Sequence, residues 1–211
     1  MDFFDQQKNA QLTKVDKSFK QSWDKPILKL CKTINDKNNY YTTSSCSGRV
    51  TLLKAEEKKQ AGLLIQTWHE VITFKKLKDS IKKNKINSLT FKQEPAILHV
   101  AARNLEDAQK LHNFAKQSGW KHCGIISFGK RIVIELSNTE KLEFPLLQKS
   151  KILVSDEFLK IIVKESNKKL KKTWGKIDRL EKALKNQPKK KDKSPLNKST
   201  LQNKNVTAMK K

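Results

Sequence analysis

Three cysteines in 211 residues, Cys31, Cys46 and Cys123, with no CxxC pair among them, exclude a disulfide-stapled secreted scaffold and a zinc knuckle. A reducing compartment suits them best. Long apolar runs are missing as well. No stretch approaches the roughly twenty apolar residues of a membrane helix. Met1 to Gln11 holds acidic and polar residues where a secretory leader needs a basic start and an apolar run. The expectation is therefore a cytoplasmic protein away from membranes, with nuclear entry through its basic tail as an option. No G-x-G-x-x-G fingerprint opens a helix after a strand, which removes the usual dinucleotide-binding turn. No internal repeat or heptad pattern is visible, and a monomer is expected.

Acid is scarce too: 21 Asp and Glu stand against 46 Lys and Arg, a formal charge of +25. From Lys164 to the end there are seventeen Lys or Arg and four acids, so the excess is concentrated at the C-terminal side. Such a field attracts polyanions over long range, and nucleic acid is the indicated partner. A solvated tail serving solubility or nuclear import is the competing reading of the last segment.

The apolar pattern predicts an α/β or α+β domain, a compact mixed sheet flanked by helices. Phe19, Trp23, Ile27, Leu28, Leu30 and Ile34 recur at helical spacing over Asp16 to Asn35, with Pro26 as a boundary or kink. Arg49 to Leu53 reads as a strand, Ala61 to Phe74 as one or two more around a buried run Gly62 to Ile65, and Leu77 to Lys83 as a helix. Leu89 to Lys92 and Ala96 to Ala102 are strands. Asn104 caps a helix that Ser118-Gly119 ends, and Cys123 to Phe128 and Arg131 to Leu136 form a hairpin. A long basic helix starts at Ser155-Asp156-Glu157, with Phe158, Ile161, Ile162, Leu170, Trp174, Ile177 and Leu184 as its apolar side. The expected layout is a flexible N-terminus at 1–15, one domain at 16–187 and a disordered lysine-rich tail at 188–211.

The chemically dense segment is Tyr40 to Arg49, which reads as a polar binding loop before a strand. Hydroxyls and the NH groups of small residues suit carboxylate or phosphate oxygens, Gly48 permits close approach, and Arg49 can grip an anion bidentately. A plain polar turn with a buried Cys46 explains the same residues.

Thr42 to Arg49 does not stand alone. His69 follows, then Phe91-Lys92-Gln93-Glu94-Pro95-Ala96-Ile97-Leu98-His99-Val100, then Arg103 with Leu105, Ala108 and Leu111, then Ser118 to Ile125. In order and spacing this set resembles the wybutosine-synthesis methyltransferases, the third enzyme of that pathway in eukaryotes and its archaeal relatives, over about Asp16 to Leu170. The resemblance implies a non-Rossmann fold. It also implies S-adenosylmethionine as cofactor and methyl transfer to a ring nitrogen of the aminocarboxypropyl-bearing tricyclic base in phenylalanine tRNA. Two departures stand out: Trp120 occupies a place where phenylalanine is expected, and Lys121-His122-Cys123 one where arginine and serine are usual.

On that basis Ser44, Ser45, Cys46, Ser47, Gly48, Arg49, Arg103, Gly119 and Gly124 are the candidate cofactor contacts. Arg49 is set against a carboxylate of either the cofactor or the modified base. His69 and His99 are the candidate proton acceptors, since imidazole titrates near neutral pH, with a structural histidine as the alternative for each. Lys121, Lys168, Lys169, Lys171 and Lys172 are the candidate RNA contacts, giving affinity without sequence choice. No metal is expected. Two rival functions remain open at this level: a non-catalytic basic RNA-binding protein, and a thiol enzyme using Cys46 with one of the histidines.

Overall fold

The computed structural model describes residues 2–13, 23–54, 62–83, 86–129 and 131–186. Among these residues nine strands form two antiparallel sheets where one mixed sheet was expected, and the order and length of the elements keep the domain α+β and non-Rossmann. The first sheet has the order β1 (Tyr40–Cys46), β5 (Ile97–Ala102), β7 (Ile132–Ser137), β6 (His122–Phe128). The second has β3 (Leu64–Trp68), β2 (Arg49–Lys54), β4 (Leu89–Glu94), β8 (Leu142–Gln148), β9 (Lys151–Ile152).

Five helices are added: α1 (Phe3–Leu12), α2 (Lys25–Asn35), α3 (Phe74–Lys83), α4 (Leu105–Gln117) and α5 (Asp156–Lys185). In α2, Ile27, Leu30, Cys31 and Ile34 fall on one face and are fully buried against the first sheet. The helix starts at Lys25 with Pro26 in its first turn, where a missing N–H costs nothing, while residues 14–22 of the expected longer helix lie outside the described residues. Asn104 caps α4 by accepting a bond from the Asp107 N–H at 2.8 Å. Gly119 closes that helix at φ +90°, which L side chains rarely adopt.

Helix α5, about 45 Å long at 1.5 Å per residue, ties the two halves together. Its Leu159, Ile162, Val163 and Leu170 belong to the core under the second sheet, and its Ile177, Leu180 and Leu184 to the core under the first. Each such side chain contributes about 1.5–3 kcal/mol on burial. Phe158 and Ile161, expected on the apolar side, are exposed instead, while the expected Ile162, Leu170, Ile177 and Leu184 are buried and Leu159 joins them.

Three further expectations change. Tyr40 to Cys46 is a strand rather than a loop, held by six register pairs with β5. The run Gly62 to Ile65, expected to be buried, enters a strand at the edge of its sheet, and Leu64 is half exposed. The N-terminus, expected to be flexible, carries α1, which Arg103 straps down through ion pairs with Asp2 and Asp5 while stacking over Phe4. The lysine-rich tail from 188 lies outside the described residues, and among the described residues no helix is long and apolar enough to cross a membrane.

The chain passes between the sheets at three neighbouring corners: Ser47-Gly48, Pro95-Ala96 and Asn138 to Lys141. Asn138 N–H bonds Ala96 O at 3.2 Å, and the Gln93 amide donates to Glu94 O and Glu140 O. Trp174 of α5 donates to Ser47 O at 3.2 Å. Lys176 of α5, also buried, donates to both carboxylate oxygens of Glu140 at 2.6 and 2.7 Å. The middle of α5 is thereby pinned to two of the three crossings, and Asn138 links the third to them; the first crossing carries Ser47 and Gly48, which the sequence singled out.

Candidate active site at the sheet crossing

One face of the first sheet is covered by α2, α4 and α5; the opposite face carries Ser44, Cys46, His99 and Glu135. Register explains the grouping, because residues directly opposite each other in antiparallel strands share a face. Ser44 pairs with His99, His99 with Glu135, and Glu135 with Gly124, which makes one row across four strands. Cys46 pairs with Ile97 in the next row. A bulge between Thr42 and Ser44 puts Ser44 in this register. Ser44 Oγ lies 2.9 Å from His99 Nδ1, and Glu135 Oε2 lies 2.9 Å from His99 Nε2. A Cβ added at Gly124 would meet nothing within 4 Å, so the row opens towards the edge strand.

At the crossing a second cluster adjoins Cys46. Asp24 sits at the start of α2, and its Oδ2 lies 2.8 Å from His69 Nδ1, just past the end of β3. The same oxygen accepts from the Ser47 N–H at 3.0 Å and from Ser47 Oγ at 3.2 Å. Burial works to raise the Asp24 carboxyl, but the bonds from His69 and Ser47 outweigh it and hold the group below its usual value. Cys46 Sγ is 3.9 Å from His69 Nδ1. Burial pushes the Cys46 thiol up to about 11, so it is protonated at neutral pH and a poor nucleophile.

Donor atoms of Asp24, Cys46 and His69 lie within 4.8 Å of one another, a spacing open to metal ions. Asp24 Oδ2 also accepts from the Ser47 N–H and Ser47 Oγ, so the trio is tied into the turn at Ser47 as well.

Arg49 begins β2 beside this cluster and bonds Glu94 Oε2 through Nε at 2.5 Å, with 37 % of its side chain exposed. Gly48 makes the tight turn before it at φ +89°. A Cβ there would stand 3.1 Å from Glu94 O and 3.4 Å from Leu170 Cδ2, so glycine is required by the crossing itself. Ser47 is buried, and Ser45 faces the helices, where it hydrogen-bonds Cys31.

The structure thus brings together Ser44, Cys46, Ser47, Gly48, Arg49, His69, His99 and Gly124. It separates Arg103, which lies past the other end of β5 holding α1, and Gly119, which packs on the helix side under Lys176 and Arg179. Lys121 is exposed ahead of β6. Lys168, Lys169 and Lys172 line a polar cleft of about 300 Å³ with Thr139, Glu140 and Glu165, and Lys171 is exposed on the same helix. Three residues of the site escaped sequence reasoning: Asp24, Glu94 and Glu135. Glu94 stands inside the block Phe91 to Val100 with no role assigned to it, and Asp24 left a trace as a capping-type residue before Lys25-Pro26.

Residues 6–186 match the family described as Methyltransferase TYW3. A Thermococcus sibiricus protein named tRNA(Phe) 7-((3-amino-3-carboxypropyl)-4-demethylwyosine(37)-N(4))-methyltransferase is 34 % identical over 182 residues, covering 84 % of this chain and 92 % of that protein. The Danio rerio tRNA wybutosine-synthesizing protein 3 homolog is 36 % identical over 190 residues, covering 87 % and 75 %. Among solved structures, PH1069 from Pyrococcus horikoshii superposes with a TM-score of 0.79 at 32 % identity, covering 86 % of this chain and 95 % of that one.

Proposed function

The chain belongs to the TYW3 methyltransferase family, and from that premise we propose that the sheet crossing is where it methylates its tRNA. The reaction is transfer of a methyl group to N4 of the aminocarboxypropyl-demethylwyosine base at position 37 of phenylalanine tRNA, the activity named for its relatives. The observation that carries the assignment is that Ser44 and Cys46, two positions apart on β1, lie against His99 and His69 respectively, with Arg49 opening the next strand.

S-adenosylmethionine would supply the electrophilic methyl group. The residues present fit it: Arg49 offers a half-exposed guanidinium for a carboxylate, Ser44 an exposed hydroxyl, and Gly124 an unfilled floor. The chain's own part in such a displacement is alignment, exclusion of water and acceptance of one proton from the ring nitrogen. The +25 charge and the lysines of α5 hold the tRNA phosphates without reading sequence. Residues 16–187 form the catalytic unit in this reading, with α1 strapped to it.

Titration calorimetry with S-adenosylmethionine tests the assignment. The full chain binds it, and Arg49→Ala, which removes a charge-assisted contact worth about 1.5–3 kcal/mol, weakens binding about 10- to 150-fold. Absence of binding by the folded chain would leave a basic RNA-binding protein instead.

A further inference from the structure

We infer that Asp24 is a positioning residue that fixes His69 with its proton on Nδ1, so that His69 Nε2, and not His99, takes the proton from the substrate nitrogen. The inference rests on the methyl-transfer reading above and names the base within it. Asp24 receives two bonds from Ser47, one from the backbone and one from the hydroxyl, so its Oδ2 is fixed before it meets the imidazole. Its side chain is 8 % exposed and that of His69 16 %. A carboxylate held in this way has only acceptor capacity, so the nitrogen facing it carries the hydrogen. Among the described residues both partners of His69, Asp24 and Cys46, meet Nδ1, which leaves Nε2 as the basic nitrogen. The thiol of Cys46 is protonated and does not compete for this proton.

His99 is built differently. Ser44 Oγ occupies its Nδ1 and Glu135 its Nε2, both at 2.9 Å, so neither ring nitrogen is left facing a substrate N–H, and direct proton transfer to His99 needs Ser44 Oγ to move aside. It holds the row of the open face in register.

The substrate nitrogen bonds to the methyl carbon as the carbon–sulfur bond breaks and the electron pair returns to the sulfonium sulfur. The N–H proton passes to His69 Nε2, giving an imidazolium whose charge the Asp24 carboxylate balances. Among the described residues, Asp24 and Cys46 face this imidazole, the internally neutral Arg49–Glu94 pair acts on Cys46 beside it, and the adjacent Glu70 is paired with Lys76.

Two measurements on the full chain decide the matter. Nitrogen-15 NMR of the histidines in the unliganded protein is expected to show His69 with hydrogen on Nδ1; hydrogen on Nε2 alone would overturn the inference whatever the activity. In methylation kinetics, Asp24→Asn lowers kcat about 100-fold, within the range of general-base contributions. KM for tRNA stays within about twofold, and the acid limb of the pH–rate profile moves to lower pH, since a neighbouring negative charge no longer favours the imidazolium. Asp24→Glu recovers part of the rate, and adding His69→Gln to Asp24→Asn costs little more. His99→Gln lowers the rate but leaves the acid limb in place. Melting curves and cofactor binding confirm that the variants are folded. An unmoved limb in folded Asp24→Asn, or a limb that moves in His99→Gln instead, defeats the assignment. A wild-type protein that methylates nothing defeats the underlying reading, while the NMR result still decides the tautomer.

Discussion

Glu140→Ala is expected to destabilise the domain by about 3–5 kcal/mol, the usual result of stripping the partner from a buried charge. Lys176 is 6 % exposed, and both of its ammonium bonds go to Glu140, so the substitution leaves an ammonium inside the sheet junction with no carboxylate. Lys172, at 3.2 Å from Glu140 and 67 % exposed, is solvated and loses little. With a urea slope of about 2 kcal/mol/M, the midpoint falls by about 1.5–2.5 M, read by tryptophan fluorescence and far-ultraviolet circular dichroism. The double variant Glu140→Leu/Lys176→Met removes both charges and returns to within about 1 kcal/mol of wild type or better. Acid gives an independent check. Burial acts to raise the Glu140 carboxyl, but the bonds and charges of Lys176 and Lys172 prevail and lower it below 4.5. A depressed folded value means stability that is present above the unfolded value and lost as pH falls through the folded one. The wild type therefore loses stability below about pH 4.5 that the double variant does not. A cost under about 1 kcal/mol for Glu140→Ala, or equal acid sensitivity of wild type and double variant, would refute the reasoning.

Gly48→Ala places an L side chain at φ +89° with its Cβ 3.1 Å from Glu94 O; urea melts should show a loss of about 2–3 kcal/mol. Asn104→Ala removes the side-chain cap of α4, and about 1 kcal/mol of stability should go with it in the same assay, without change in cofactor binding. Cys46→Ser should keep methyl transfer within about tenfold of wild type in a single-turnover assay, because nothing in the displacement needs a thiolate. Complete loss would favour the thiol-enzyme reading.

How far the sequence discloses this molecule depends on the range of the interactions involved. The cap at Asn104, the stop at Gly119 and the start of α5 at Ser155 are local and visible in a few residues. Tyr40 to Cys46 reads as a loop because its hydroxyls suit turns, yet pairing with β5 makes it a strand and sends Ser44 and Cys46 to one face and Ser45 to the other. Strand β8 stays hidden behind Pro145, which argues against a strand until β9 is seen to border it only at Leu147 and Gln148. Asp24, Glu94 and Glu135 are ordinary acids in the sequence. Their roles arise from His69, Arg49 and His99, each 36 to 45 residues away, apart from kinship that local pattern does not record. For Asp24 and His69, both the bend of the chain between the sheets and the turn at Ser47 are needed before the pair exists.

The central claim is tested by mass spectrometry of nucleosides from tRNA of cells that lack this methyltransferase, after incubation with the full chain and S-adenosylmethionine. One added methyl on the demethylated tricyclic base of phenylalanine tRNA is the predicted result. An unchanged base, with the protein folded and the intermediate confirmed in the tRNA, would contradict the account.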